Sequence, residues 1–586
     1  MATTTLQKRW LLTPSASPEL LRQYRGMSPI LAQILYNRGF HHPNDAYQFL
    51  FTKECSHNPF AMQDMHKLVG RVRQAIKMQE PIVVYGDFDA DGVTSTTLLV
   101  QALRALGARA QPYIPHRVDE GYGLNNEALE RMARAGIKLV ITVDCGIRSV
   151  DEVKYGRSAG LDIIVTDHHS LGDELPEAYA VINPKREGYP EDMLAGVGVA
   201  YKVVEALLMA VSANTSKSKR PRLDLDSLVD LVAIGTVADL MPLNRPENRA
   251  LVRRGLEQLN KAHRIGIRAL LDVCGVKPGS ASAMSIGFGI GPRINAAGRL
   301  EDAMQAYKLL SATTDEEAKH WADKLNTLNV RRQEITRAAQ EKIRTKLDIG
   351  DSPLIFTSDS SFEPGIVGLV AGRLVEEYYM PTIVMEEGET ESRASCRSIP
   401  QFDITKALDQ CADLLVRHGG HTLAAGFTVL NGNIPLLRER LTELAREALD
   451  GQALTPTLDI DARLDVHQIS DELCKELDML EPTGHSNPRP TFMVEKARII
   501  ETRTVGKENQ HLRLKIARAG QPPLDSIGFS LGHWADRGLE YADLAFQIEM
   551  NEWNGRQNLQ LRLQDIRPPE TDPYSILGKR SPSNQP

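Results

Sequence analysis

Short apolar runs punctuate the chain, and their spacing predicts its elements. Ile82-Val83-Val84-Tyr85 is uninterrupted and mostly β-branched, the pattern of a strand buried on both faces. Residues 139–143 (Leu-Val-Ile-Thr-Val) and 161–166 (Leu-Asp-Ile-Ile-Val-Thr) repeat it, and residues 228–237 form a fourth apolar run. Between them lie helical patterns, the first over residues 94–106, which predicts βαβ units around a parallel sheet. Residues 1–60 read as mostly helical, broken at Ser28-Pro29, with the segment over 31–39 ending at Gly39. Residues 301–347 read as helix with a break at 311–314, a rigid connector. Residues 353–450 read as a smaller α/β unit, with strands at 354–357 and 382–385 around a helix over 366–378. Beyond residue 458 the pattern turns strand-rich (492–494, 511–516, 544–550, 559–563), which predicts a small β-barrel. Residues 572–586 contain Pro573, Pro582 and Pro586 without apolar periodicity, the signature of a disordered tail.

At 586 residues the chain exceeds what one core usually serves, so several domains are expected. No apolar run approaches a membrane span, and the first residues lack a signal-peptide core. The six cysteines are scattered with no Cys-x-x-Cys pair, which argues against a disulfide framework or zinc cage and for a reducing cytoplasm. A net charge of −7 decides nothing about nucleic acid, because clustered metal-binding carboxylates would inflate the acidic count.

The chemistry concentrates where the apolar runs end. Asp87, Asp89 and Asp91 follow the first run at alternate positions, and in an extended chain alternate side chains point the same way. Three anions held together repel unless cations or protons intervene, so a divalent metal site is the direct reading; a solvated acidic turn is the alternative. Gly92 then lets the backbone turn. The second run ends in Asp144, the third in Asp167-His168-His169, and the fourth in Asp239. One acidic strand end is an ordinary helix cap, but four such ends make a constellation. His168 adds a nitrogen ligand suited to manganese or a similar ion. Residues 116–124 carry Arg117 among glycines, either a phosphate-approaching loop or an ordinary turn. The Gly-rich run 287–299 carries Arg293, Asn295 and Arg299; it lacks the Gly-Lys-Ser/Thr of a P-loop, yet its donors could reach an anion. Residues 212–222 form a polar basic loop, expected as a solvated insertion.

With these motifs in order, the sequence resembles the DHH phosphoesterase superfamily and, within it, the bacterial RecJ family of single-strand exonucleases. The residues that carry the likeness are 87–92 (Asp-Phe-Asp-Ala-Asp-Gly), 143–146 (Val-Asp-Cys-Gly), 166–169 (Thr-Asp-His-His) and 235–239 (Gly-Thr-Val-Ala-Asp). Residues 291–299 are similar to a run typical of that family, Gly419-Gly420-His421 with Ala424-Ala425-Gly426 to the DHH-associated domain, and 551–565 to the last strands of an OB-fold. The implied organisation is an N-terminal helical segment (1–60), a parallel-sheet DHH domain (61–300), a connector helix (301–350), a smaller α/β DHH-associated domain (351–450), an OB-fold barrel (455–568) and a disordered tail (569–586). Two runs depart from the family's pattern. Residues 392–398 put Arg393 and Cys396 where small residues are usual, and 484–490 read Gly-His-Ser-Asn-Pro-Arg-Pro instead of beginning Gly-x-Gly-Asn-Pro.

The resemblance implies two ions, Mn²⁺ or Mg²⁺, held by Asp87, Asp89, Asp91, Asp144, His168 and Asp239, with Asp144 bridging. It casts His169 as a donor to the scissile phosphate or leaving oxygen. Arg117, Arg293, Asn295, Arg299, Ser395, Arg397, Gly420 and His421 are the implied substrate-binding set. The implied activity is 5′-to-3′ hydrolysis of single-stranded DNA in repair and recombination. A single-strand-binding protein and a helicase are candidate partners, no membrane is involved, and a monomer is expected. A phosphodiesterase for short oligonucleotides or cyclic dinucleotides is the alternative, and a catalytically dead DHH scaffold a more distant one. Phe529, Trp534 and Trp553 could stack on bases, though a core role suits each better.

Overall fold

The computed structural model describes residues 6–52, 54–214, 223–347, 349–452, 454–553 and 556–569. Residues 215–222 of the expected basic insertion, the expected tail beyond 569 and the side chain of Trp553 lie outside the described residues. The β-branched run at 82–85 becomes the strand Pro81–Tyr85, inside a five-stranded, fully parallel sheet. The order across that sheet is Arg109–Tyr113, Pro81–Tyr85, Leu139–Thr142, Asp162–Thr166, Ala180–Ile182. Strand order therefore reverses between Pro81–Tyr85 and Leu139–Thr142, the switch point at which open α/β sheets offer a crevice beyond their strand ends. The loops carrying Asp87 and Asp144 open into it.

Two local expectations are corrected. The apolar run at 228–237 is no strand: Val229–Ala238 is an α-helix whose first nine residues are all buried. A run apolar on every side has no period that separates a buried strand from a buried helix, and neighbours cover every face of this one. The helix expected from residue 94 begins at Ala90, because Asp89 Oδ1 accepts from the amides of Asp91 (2.9 Å) and Gly92 (3.0 Å) and caps it. Asp91 thus belongs to a helical turn, and the three aspartates do not converge by strand alternation. Gly92 serves approach, not turning: a Cβ there would lie 2.4 Å from the Asp87 carbonyl oxygen.

Helix Gly291–Leu300 leads through Met304–Leu310 to the 32-residue connector Asp315–Lys346, whose N-terminus Thr314 caps at the Glu317 amide (3.2 Å). The break expected at 311–314 separates the last two. The smaller α/β unit has the sheet order Leu415–His421, Ala424–Leu430, Glu391–Arg397, Thr382–Glu386, Ile355–Asp359, parallel only in the last pair. Phe492–Val505, His511–Ile516, Leu524–Gly528, Arg556–Arg567 and Tyr541–Trp553 close a barrel, with Tyr541–Trp553 pairing back onto Phe492–Val505. Leu524–Gly528 escapes sequence reading because Asp525, Ser526 and Gly528 are poor strand formers.

The first 50 residues are not a separate helical piece. Arg9–Leu12 pairs in parallel with Thr457–Ile460, and Trp10 Nε1 donates to Asp565 Oδ2 at 2.8 Å. Leu31, Ile34 and Leu35 share one apolar cluster with Phe492, Leu514 and Phe546 of the barrel. Arg249 then ties this unit to the DHH-like sheet domain. Its guanidinium stacks on Phe49 at 3.9 Å and donates to the carbonyls of Phe49 (3.0 Å), Leu480 (3.0 Å), Glu481 (2.9 Å) and Pro482 (3.2 Å). The turn at 484–487 completes the junction: Leu243 donates to the His485 carbonyl at 2.9 Å, and buried Asn487 reaches the carbonyls of Leu480 and Pro482. Ser486 sits there at φ +58°, in the left-handed region that favours glycine.

Candidate metal centre and phosphate groove

Each carboxylate at the crevice is placed by a different element. Asp87 follows the central strand and is buried, as are Asp91 in the first helical turn and Asp144 after Leu139–Thr142. Asp144 takes φ +62° to turn its carboxylate inward. Asp91 accepts from the Gly196 amide (2.7 Å) and the Val197 amide (2.9 Å), buried first-turn donors of helix Gly196–Asn214 that no intrahelical carbonyl can satisfy. Gly196 lets that helix end approach, since a Cβ would stand 2.6 Å from Asp144 Cβ. Asp239 caps the far end of Val229–Ala238.

His168 Nε2 faces Asp144 Oδ1 at 3.0 Å, Asp239 Oδ2 at 3.5 Å and Asp91 Oδ2 at 3.8 Å. Three ligand-like groups result, each with its atoms within 4.8 Å of one another: Asp87, Asp89 and Asp144; Asp91, His168 and Asp239; and Asp144, Asp167, His168 and His169, which overlaps both. Burial, reinforced by the neighbouring carboxylates, pushes Asp87 and Asp144 well above the carboxylate range, Asp91 to about 7 and Asp239 to about 9. Burial also depresses His168 to about 3, leaving the ring neutral. Asp87 Oδ1, Asp144 Oδ1, His168 Nε2 and Asp239 Oδ2 are buried without a hydrogen-bond partner. Such orphaned acceptors fit divalent cations, and the oxygen set with one imidazole suits Mn²⁺ or Mg²⁺.

His169 belongs to the last of these groups, at its half-exposed edge, with Nδ1 3.9 Å from Asp144 Oδ1. Its Nδ1 bonds Asp167 Oδ1 at 2.7 Å and lies 3.2 Å from the Tyr122 hydroxyl. Burial, the largest single effect, would lower its pKa, but the bond to Asp167 together with the charges of Asp167, Asp87 and Asp91 outweighs it and the pKa is raised. Asp167, named in the sequence as a run end but given no role there, is an anchor: it accepts from the amides of Ile147 (2.9 Å), His168 (2.7 Å) and His169 (3.1 Å). Asn183 and Lys185 were missed as well. Asn183 Nδ2 donates to the His169 carbonyl at 3.0 Å and Lys185 Nζ to the His168 carbonyl at 2.5 Å. Their signal was present, a polar Asn-Pro-Lys directly after the apolar strand Ala180–Ile182.

The anion-binding candidates divide. Arg117 lies on the Phe88 ring at 3.8 Å, with Asp87 and Asp89 as its nearby negative charges. Arg299 donates to the Gly365 carbonyl at 3.1 Å and is lowered to about 9 by burial, then by Arg117 and Arg332. Arg397 donates to Ser395 Oγ (3.1 Å) and to the Cys396 carbonyl (2.8 Å), and burial lowers it too. Arg117, Arg299, Arg332 and Arg397 thus gather between the two α/β units; Arg332, on the connector, went unrecognised. Strand pairing sets Arg397, Ala424 and exposed His421 side by side, with Gly420 next along the same edge strand. Asn295 Oδ1 instead accepts from the Ala90 amide at 2.7 Å, fixing the start of the Asp91 helix. Arg293 is committed elsewhere, to the carbonyls of Gly289 (2.9 Å) and Val273 (3.2 Å) and to Asn326 Oδ1 (3.0 Å). The run at 287–299 is helical, and Gly298 lets it touch the Phe88 carbonyl, 2.3 Å from where a Cβ would be. Of the two departures in 392–398, Cys396 is buried in its own domain's core and Arg393 faces outward, on the same side of the strand as Arg397. Its Nη1 reaches the Val118 carbonyl at 3.5 Å, across to the loop of Arg117.

A parallel-sheet domain with this acidic and histidine crevice, faced by a second α/β unit, defines the DHH class of phosphoesterase fold. The model of the DHH family N-terminal domain matches residues 81–236, that of the DHHA1 domain 351–448, and that of the RecJ OB domain 460–565. The single-stranded-DNA-specific exonuclease RecJ of Bacillus subtilis (strain 168) is 38% identical over 564 residues, 95% of this chain and 70% of the relative. RecJ of Thermus thermophilus in complex with Mn²⁺ superimposes with a TM-score of 0.81 at 28% identity, covering 96% of this chain and 80% of that one. Its Mg²⁺ complex gives a TM-score of 0.76. The chain belongs to the RecJ family.

Proposed function

We propose that this chain is a two-metal exonuclease that degrades single-stranded DNA from its 5′ end, in DNA repair and recombination. The observation that carries the reading is the pair of acidic groups meeting at the 3.0 Å contact of His168 and Asp144 beside the arginine-lined groove. Asp87, Asp89 and Asp144 would hold one ion and Asp91, His168 and Asp239 the other, with Asp144 bridging. Bound there, divalent ions activate water and stabilise the entering and leaving oxygens of the phosphodiester. Asp167, by engaging His169 Nδ1, leaves Nε2 as the ring nitrogen that can donate to a phosphate oxygen. Arg117, Arg299, Ser395 and Arg397 would receive the 5′-terminal phosphate, with Gly420 and His421 along the rim. Arg293 and Asn295 support the site from behind through the contacts described above.

The closed barrel supports a long strand over a cyclic dinucleotide or very short oligonucleotide. Phe529, half exposed with Arg562 at 5.5 Å, is its candidate stacking face, whereas Trp534 packs against the barrel core. A monomeric, cytoplasmic enzyme working with a single-strand-binding protein and a helicase is consistent with family membership, and among the described residues no helix is long and apolar enough to cross a membrane. The test is a nuclease assay on strands labelled at either end, with chelator and then Mn²⁺ added. Loss from the 5′ end that stops with chelator and returns with metal is expected. Chelator-insensitive cleavage, or loss from the 3′ end, overturns the reading.

A further inference from the structure

Phe288 is the most exposed large apolar side chain among the described residues, at 81%. It sits at the centre of a single π-helical turn, Ile286–Ile290, whose two end isoleucines are buried, so core packing does not explain a phenylalanine on the outer side. The turn is held firmly in place. Arg293 bonds the Gly289 carbonyl and anchors it to Val273 and Asn326, and a Cβ on Gly291 would stand 3.2 Å from Ala238 Cβ. Gly291, three residues after Phe288, thus packs against the residue preceding Asp239, and the π-helical turn itself contacts helix Val229–Ala238.

A second exposed apolar side chain occupies the same junction. Leu240, 66% exposed, follows Asp239 directly and takes φ +55°. It closes helix Val229–Ala238, with its amide on the Val237 carbonyl (3.3 Å) and that of Met241 on the Thr236 carbonyl (3.1 Å). Glycine is the residue this closure favours; leucine there carries left-handed strain and exposes apolar surface to water. Strain and exposed hydrophobicity beside a ligand-bearing residue point to a bound partner.

We propose that Phe288 and Leu240 form an apolar ledge on which a base of the strand stacks, next to the phosphodiester held at the metal centre. This rests on the exonuclease reading and adds to it the residues that grip a base. Every base offers a π-face, so the ledge is indifferent to sequence and demands an unpaired strand. Arg293 is the positioning residue that holds the turn.

The test uses the full chain with Mn²⁺ and 5′-phosphorylated strands carrying one abasic nucleotide, scanned along the first positions. Phe288→Ala is expected to lower kcat/KM between about fivefold and a hundredfold, the range for losing one stacked base, while Phe288→Trp keeps most of it. At one position the abasic nucleotide should cost the wild type that same factor and cost Phe288→Ala nothing further. The salt dependence of binding should be unchanged, because no phosphate contact is lost. Leu240→Gly should melt no lower than wild type yet cleave more slowly. A wild-type rate for Phe288→Ala on naked strands, as a protein-docking face would give, overturns the ledge alone; so do losses that multiply at every position. A wild type that leaves single strands intact overturns the exonuclease reading with it.

Discussion

His168 Nε2 lies 3.0 Å from Asp144 Oδ1, although the two residues follow different strands. The contact joins side chains of two acidic groups that also meet at the helix start carrying Asp89 and Asp91. Asp144→Ala is therefore expected to abolish hydrolysis while single-strand binding, which the proposed arginine groove would carry, stays within about twofold. Turnover near wild type at saturating Mn²⁺ would refute the shared-ligand arrangement.

The raised carboxylates make the metal-free protein sensitive to base. In the unfolded chain Asp239 and Asp91 titrate near the ordinary value of 3.8, but in the fold at about 9 and about 7. Below about pH 4 both states hold the protons and the contribution to stability is complete; it is lost progressively as pH rises through 7 and 9. In chelator, Asp239→Asn should therefore exceed the wild-type Tm by a margin that widens from pH 5 to pH 9. The stabilisation by Mn²⁺ should also widen in the wild type, since its ligands need not be stripped of protons. A margin constant with pH would contradict these assignments.

The groove arginines should read the strand's end group. Arg397→Ala is expected to lower kcat/KM on 5′-phosphorylated strands by about 1.5–3 kcal/mol, the range of a charge-assisted hydrogen bond, and much less on 5′-hydroxyl strands. Arg299→Ala should follow with a smaller difference, because part of its guanidinium is bonded to Gly365. Equal losses on both ends, with a lower Tm, would mean that these arginines only brace the two domains.

The shared core of the N-terminal segment and the barrel changes what a truncation reports. Deleting residues beyond 455 alone strips the partners of Leu31, Ile34 and Leu35 and should give an aggregating protein. Removing residues 1–52 as well should leave a soluble core that still cleaves very short oligonucleotides, but binds long strands weakly and with a shallower salt slope. Undiminished long-strand binding by that core would remove the barrel from the substrate path.

Ser486 offers a simple check of the junction. Its φ of +58° is one that glycine adopts without steric cost, so Ser486→Gly should stabilise the protein by about 0.5–1 kcal/mol in thermal unfolding. A loss of stability would mean that the serine side chain makes an interaction worth more than the strain.

Much of this architecture could be read from side-chain order alone. The runs at 82–85, 139–143 and 161–166 became neighbouring parallel strands, and the residues that follow them converge on one crevice. A buried parallel strand must be apolar throughout, and its polar end must mark the crevice, so both properties are local to the sequence. Other features depended on contacts between distant segments. Whether 229–238 was strand or helix was settled by neighbours covering all its faces, which no periodicity records. Arg293 was indistinguishable from Arg299 as a donor in a Gly-rich run until the fold placed Val273 and Asn326 around one and Gly365 beside the other. Cys396 and Arg393 were assigned to core and groove by the strand's alternation, which becomes informative only once one face of its sheet is covered. The union of the first 50 residues with the barrel lay beyond sequence reading for the same reason. Apolar side chains specify that they must be buried, and only the three-dimensional packing decides against what.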